Sequence, residues 1–138
     1  MALDVQFKTG LLWQDTQHKE WIKLLDKLKG AKKKKQDHQL FASTISFLVM
    51  YANHHIGIEN EYMKRYEYPE RNFHMEEHRL FILRLKDFRE KYRNFSDEAT
   101  LKIIESMTEW VYSHILENDQ KLGEFIIKKE QPHRLAVK

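Results

Sequence analysis

His74-Met75-Glu76-Glu77-His78-Arg79-Leu80-Phe81-Ile82-Leu83-Arg84-Leu85-Lys86-Asp87-Phe88 is the stretch from which the rest of the chain can be read. His74, His78, Phe81, Leu85 and Phe88 recur in steps of four, three, four and three, the spacing of one face of an α-helix. Two imidazoles therefore stand on the stripe that a helix buries. They are one turn apart and project in the same direction. Pro69, a few residues upstream, suits the first turn of this helix, where its missing N–H costs nothing.

The same pattern continues outward in both directions. Upstream, Asp37 is a good N-cap for a helix over about 38–66, whose inner stripe reads Phe41, Ile45, Leu48, Ala52, His55, Glu59 and Tyr62. Before it, His18, Trp21, Leu25 and Leu28 mark a helix over about 15–29. Gly30 and the run Lys32-Lys33-Lys34-Lys35 then read as a solvated loop. Downstream of the helix over about 70–93, Ser96 caps a fourth over about 97–127, with Asp97 and Glu98 placed favourably against its dipole. That helix shows Ile104, Met107, Val111, His114, Ile115 and Leu122 on its inner side, and residues 128–138 with Pro132 read as a loosely held tail. Only four glycines and two prolines interrupt 138 residues, which favours a few long helices over many short strands. The expected fold is all-α: one domain over 1–138, an up-down-up-down antiparallel four-helix bundle with a metal site in its core.

Composition narrows the chemistry. There is no cysteine, which excludes disulfides, thiolate metal sites and cysteine nucleophiles. The apolar runs are too short for a membrane span. Met1-Ala2-Leu3-Asp4 has no basic segment leading into an apolar one, so no signal peptide is expected and a cytoplasmic protein is. A formal charge of +3 does not call for a nucleic-acid partner.

Histidine interrupts every apolar stripe. His18, His55, His74, His78 and His114 all fall on inner faces, joined by Glu59 four residues after His55 and by Asp119 beyond Ile115. His54, about 100° from His55, points elsewhere, and His38 and His133 carry no spacing signal. Burying five imidazoles and two carboxylates unpaired is costly, so a shared metal centre accounts for them better than seven separate core hydrogen bonds. Seven ligands are too many for one zinc ion. Nitrogen and oxygen donors without sulfur suit two first-row ions bridged by the carboxylates, iron being the redox-active choice and zinc or copper compatible substitutes. Asp119 is an exception in phase, because five residues from His114 turn it about 140° around a regular helix. A local widening of the fourth helix near 114–119, or a side chain reaching sideways, is needed to bring it in.

Asp15-x-Gln17-His18-Lys19, His55-x3-Glu59, Tyr68-Pro69, His74-x3-His78 and Trp110-x3-His114-Ile115-x3-Asp119 together resemble the hemerythrin family, in particular its single-domain bacteriohemerythrins, over roughly residues 3–126. That resemblance implies two iron ions. His74, His78 and His114 would hold one, and His18 and His55 the other, left with an open position. Glu59 and Asp119 would bridge them with an oxo or hydroxo group. It implies a protein that binds dioxygen reversibly for storage, transport or delivery to an oxygen-using partner enzyme, and that is not itself an enzyme. A sensor acting through a separate partner and a diiron redox enzyme are the alternatives. Against the enzyme, carboxylate-rich diiron proteins supply Glu-x-x-His from two helices, and here that spacing occurs only at Glu130 and His133, with Pro132 between them. Ile56, Val111 and Ile115 would line the ligand pocket. The family usually has phenylalanine where Ile56 stands and often leucine at Val111, so a roomier pocket with faster autoxidation is expected.

Overall fold

Four rods make up the structure, a computed structural model that describes residues 5–33 and 38–136, leaving the side chains of Lys33, Leu40 and residues from 132 onward undescribed. They are α1 (Leu12–Lys33), α2 (His38–Arg65), α3 (Arg71–Lys91) and a fourth rod in three parts. The fourth consists of α4 (Asp97–His114), a π-helical segment (Ile115–Asp119) and α5 (Gln120–Ala136), in unbroken succession. Short 3-10 turns stand at Val5–Phe7 and Tyr92–Asn94. Each neighbouring pair runs antiparallel. Trp13 meets Tyr62 and Lys32 meets Phe41 across α1 and α2. His78 meets Asn60 across α2 and α3, and Tyr92, in the 3-10 turn just past α3, meets Phe41. Arg84 meets Ser106 across α3 and α4, and Lys29 meets Glu105 across α1 and α4. The result is the expected four-helix bundle.

The apolar stripes do what their spacing predicts. Trp21, Leu25, Leu28, Phe41, Ile45, Leu48, Phe81, Leu85, Ile104 and Met107 are among the buried residues of one large cluster. A second, smaller cluster holds Leu11, Met63, Tyr68, Leu122 and Ile126. Along the chain, His18, Glu59, His74, His78 and Asp119 each lie between residues of the one cluster and residues of the other.

Several ends differ from the reading of the sequence. Gly30 does not stop α1, which continues to Lys33. A mid-helix glycine costs only about 1 kcal/mol. Here Leu28 and Ala31 are buried, and Lys32 is tied to Asp97 (2.9 Å) and lies over the Phe41 ring (5.1 Å). The lysines beyond Lys33 and the Asp37 cap lie outside the described residues. Pro69 precedes α3 by two residues instead of sitting in its first turn. It lies in the turn that leads into α3, closed by the Arg71 N–H donating to Tyr68 O (3.1 Å), and the chain leaves α2 before it at Glu67, which takes the left-handed conformation (φ 51°). There the Tyr68 N–H donates to Met63 O (2.9 Å) and the Glu67 N–H to Lys64 O (3.3 Å), a Schellman closure. Ser96 does cap α4, its Oγ accepting from the Ala99 N–H (3.1 Å). The fourth rod does not give way to a loose tail at residue 128; its backbone stays helical to Ala136, so most of the span 128–138 is helix. Among the described residues, no helix is long and apolar enough to cross a membrane.

Candidate metal centre

All seven candidate residues converge in the middle of the bundle, and all are buried. α1 brings His18, α2 brings His55 and Glu59, α3 brings His74 and His78, and the fourth rod brings His114 and Asp119. They form two groups that share both carboxylates: Glu59, His74, His78, His114 and Asp119 on one side, and His18, His55, Glu59 and Asp119 on the other.

Each carboxylate divides its oxygens between the groups. Glu59 Oε1 lies 3.1 Å from His78 Nε2 and 3.7 Å from His74 Nε2, while its Oε2 lies 3.5 Å from His55 Nε2 and 4.0 Å from His18 Nε2. Asp119 Oδ1 lies 3.0 Å from His74 Nε2 and 3.1 Å from His114 Nε2, and its Oδ2 lies 2.8 Å from His18 Nε2. His78 Nε2 and His114 Nε2 are 3.1 Å apart. Nitrogens and oxygens approach this closely only with a proton or a cation between them. Many of these contacts are not hydrogen bonds in geometry: His18 Nε2, His55 Nε2, His74 Nε2, Glu59 Oε1 and both Asp119 oxygens are buried without a hydrogen-bond partner among the described residues. Two donor atoms about 2.1 Å from one ion and at right angles would stand about 3 Å apart, which is the spacing seen. The donor set therefore fits a pair of first-row ions, which would give buried groups otherwise too costly to leave unpaired their counterpart.

Asp119 reaches the site through the π-helical segment. The Gln120 N–H donates to Ile115 O, a bond five residues back in place of four. This widening absorbs the extra residue between His114 and Asp119, so that both point inward. The local widening that the spacing requires is present.

Neighbouring side chains orient the donors. His55 Nδ1 is paired with Gln17 Oε1 (2.5 Å) and His78 Nδ1 with Asn60 Oδ1 (3.0 Å), arrangements that set which ring nitrogen faces the site. Gln14, fully buried, donates to Glu59 Oε2 (2.6 Å) and to the Asp119 carbonyl (3.3 Å), holding both carboxylate-bearing segments at once. Sequence reading missed Gln14 and Asn60, and quoted Gln17 in a motif without its pairing to His55. For Gln14 a signal existed, since it precedes His18 by four residues and so extends the inner stripe of α1 backwards.

Gly123 permits this arrangement. A Cβ there would lie 2.8 Å from Thr9 Cβ and 2.9 Å from Gln14 Oε1. Thr9 in turn is fastened to Asp15, its N–H and Oγ1 both donating to Oδ1 at 2.7 and 3.0 Å. Gly123→Ala is accordingly expected to destabilise the metal-free protein by about 1–3 kcal/mol, as overpacking does. Its denaturation midpoint compared with the native chain checks this.

Burial and the two carboxylates pull the imidazoles in opposite directions. Burial would lower His74, but the negative charge of the Asp119 and Glu59 carboxylates beside it outweighs burial and raises its pKa to about 9. Burial opposes His18 too, and Asp119 overcomes it, leaving a raised pKa. His55 goes the other way: burial, greater than the pull of Glu59, lowers it to about 4, and burial likewise lowers His78. Burial would raise Asp119, yet His114 and His18 hold it well below the usual carboxylate range.

Ile56, Val111 and Ile115 are buried in the large apolar cluster. A fully buried indole, Trp21, also packs against the His55 ring (5.3 Å). Trp110 stacks on His114 (4.6 Å) and on Phe81 (4.4 Å). His54 and His38 are exposed, as their phase and position imply, and the side chain of His133 lies outside the described residues.

A family model for the hemerythrin HHE cation binding domain matches residues 9–126. The chain is 28% identical over 111 residues to a bacteriohemerythrin of Pseudomonas aeruginosa, covering 80% of this chain and 71% of that protein. It is 24% identical over 115 residues to the bacteriohemerythrin of Campylobacter jejuni, covering 83% and 86%. With the bacteriohemerythrin of Aquifex aeolicus the identity is 28% over 123 residues, covering 85% and 93%.

Proposed function

The chain belongs to the hemerythrin family, and on that footing we propose that it binds dioxygen reversibly at a pair of iron ions held by the seven clustered residues. One observation carries the reading: Glu59 and Asp119 each turn one oxygen to the three-histidine group and one to the two-histidine group, as carboxylates spanning two ions must. When bound, the iron pair supplies the electrons and the open coordination position that dioxygen requires.

The protein's own contribution is placement and exclusion. His74, His78 and His114 would saturate one ion, while His18 and His55 leave the other with fewer donors and hence room for a ligand. Gln17 and Asn60 fix the rings of His55 and His78. Gln14 holds Glu59 against rotation. The buried side chains of Ile56, Val111 and Ile115 keep water and external reductants from the ligand, which favours release of dioxygen over its reduction. Storage, transport and delivery to a partner enzyme in the cytoplasm are uses that this one property would serve.

The reading is tested by anaerobic optical titration of iron-loaded protein, with iron counted per chain. Two irons and a visible charge-transfer band that appears with air and vanishes on deoxygenation are expected. A single ion, or one irreversible oxidation, would overturn it. The smaller side chains at positions 56 and 111 add a further expectation. Native protein should autoxidise faster than the double variant Ile56→Phe, Val111→Leu, and equal rates in stopped-flow traces would exclude a role for that missing bulk.

A further inference from the structure

The indole of Trp21 is fully buried, yet its Nε1–H has no acceptor among the described residues. Buried indoles ordinarily find a hydrogen-bond partner, because an unanswered donor bears the full loss of its hydration. Trp21 follows His18 by three residues on the same face of α1, and its ring lies 5.3 Å from that of His55. It thus neighbours both histidines of the two-histidine group. Towards the three-histidine group Trp21 is followed by other rings: Phe81, 5.3 Å from it, stacks on Trp110, which stacks on His114. Ile56, Val111 and Ile115 belong to the same apolar cluster as Trp21 and offer no side-chain acceptor of their own.

We propose that Trp21 is the hydrogen-bond donor to the ligand taken up on the two-histidine side, a small molecule with an exposed lone pair such as dioxygen or azide. This rests on the reading given above, since it requires an open position beside His18 and His55. An indole N–H suits the task chemically. It donates and cannot accept, so it discriminates in favour of ligands that bring electron density. It strengthens as the ligand gains negative charge, which charge-assisted hydrogen bonds reward. It does not release its proton near neutral pH, so it holds the ligand without protonating it. In an otherwise apolar pocket, a single such donor would be a specificity-determining feature of the site.

The test is azide binding to the oxidised, iron-loaded protein, measured optically and by infrared spectroscopy. Native protein is compared with Trp21→Phe and with a chain in which Trp21 is replaced by its benzothienyl isostere, which keeps the shape and lacks the N–H. Both substitutions are expected to weaken azide about tenfold or more, the scale of a hydrogen bond to a charged group. The azide stretch should shift on transfer to D2O in native protein and not in either substituted chain, with two irons per chain retained throughout. Equal affinities and equal D2O responses would overturn the proposal while leaving the metal site intact. If native protein carrying two irons takes up no azide at all, the open position itself is wrong and both readings fall.

Discussion

Glu59→Ala is expected to abolish the second metal ion and to weaken the first by at least about a hundredfold. A hundredfold is the upper end of the loss from removing a mere outer partner of a metal ligand, and Glu59 is more than that. Its two oxygens stand between four imidazole nitrogens drawn from α1, α2 and α3, at 3.1 to 4.0 Å. Removing the side chain takes one donor from each group and one of the two negative charges that offset the ions. It also takes from the Gln14 amide its 2.6 Å bond to Oε2 and leaves it only the longer one to the Asp119 carbonyl (3.3 Å). Glu59→Gln separates charge from volume, since it fills the same space but cannot present two anionic oxygens. Metal content by elemental analysis and calorimetric titration with a redox-inert ion such as Zn(II) provide the measurement. Two ions per chain in Glu59→Ala would eliminate the bridging role.

Metal loading should release protons, and its apparent affinity should climb steeply with pH up to about 9. In the metal-free chain His74 holds a proton to about pH 9, because Asp119 and Glu59 stabilise the imidazolium despite burial. An ion must displace that proton, so apparent affinity changes about tenfold per pH unit for each proton released. Stability of the metal-free chain follows the opposite course. A pKa raised from 6.5 to about 9 contributes stability that is fully present below pH 6.5 and is lost as pH rises through 9. His55, lowered to about 4, is neutral in the fold and takes up a proton in the unfolded chain, so stability falls between pH 6.5 and 4. Asp119, held below its ordinary value of 3.8, contributes stability that is present above that pH and lost as pH falls further. Thermal melts with a chelator should therefore peak near pH 6.5, and titrations in buffers of different ionisation enthalpy should report proton release at pH 7. Absence of that release would mean that His74 is neutral before metal arrives.

The parts of this centre that could be read from sequence are those governed by helical phase. His55 and Glu59, like His74 and His78, sit four apart, and a single period places each pair on one face. Asp119 could be assigned only together with a break in that period, and the π-helical segment supplies the break. The pairings of Gln17 with His55 and of Asn60 with His78 were not legible, because each joins two helices and depends on how the rods are rotated against one another. The donor of Trp21 was hidden for a related reason: at helical spacing a tryptophan reads as core, and whether its N–H is answered is a property of the packed interior. Helix ends misled where tertiary contacts override local breakers, as Lys32 does for Gly30 by binding Asp97 and Phe41.

The separation of the apolar interior into two unequal clusters has a consequence for how the chain holds together. Between the larger cluster and the one formed by Leu11, Met63, Tyr68, Leu122 and Ile126 lies a polar waist with little cohesion of its own. Without ions, opening of the small end need not disturb the large one, and the two become separate cooperative units. With ions, all four rods are cross-linked at the waist and the units merge. Metal would thus set the cooperativity of the fold as well as its stability: the loaded chain should exchange its amide hydrogens as one body, and the empty chain as two.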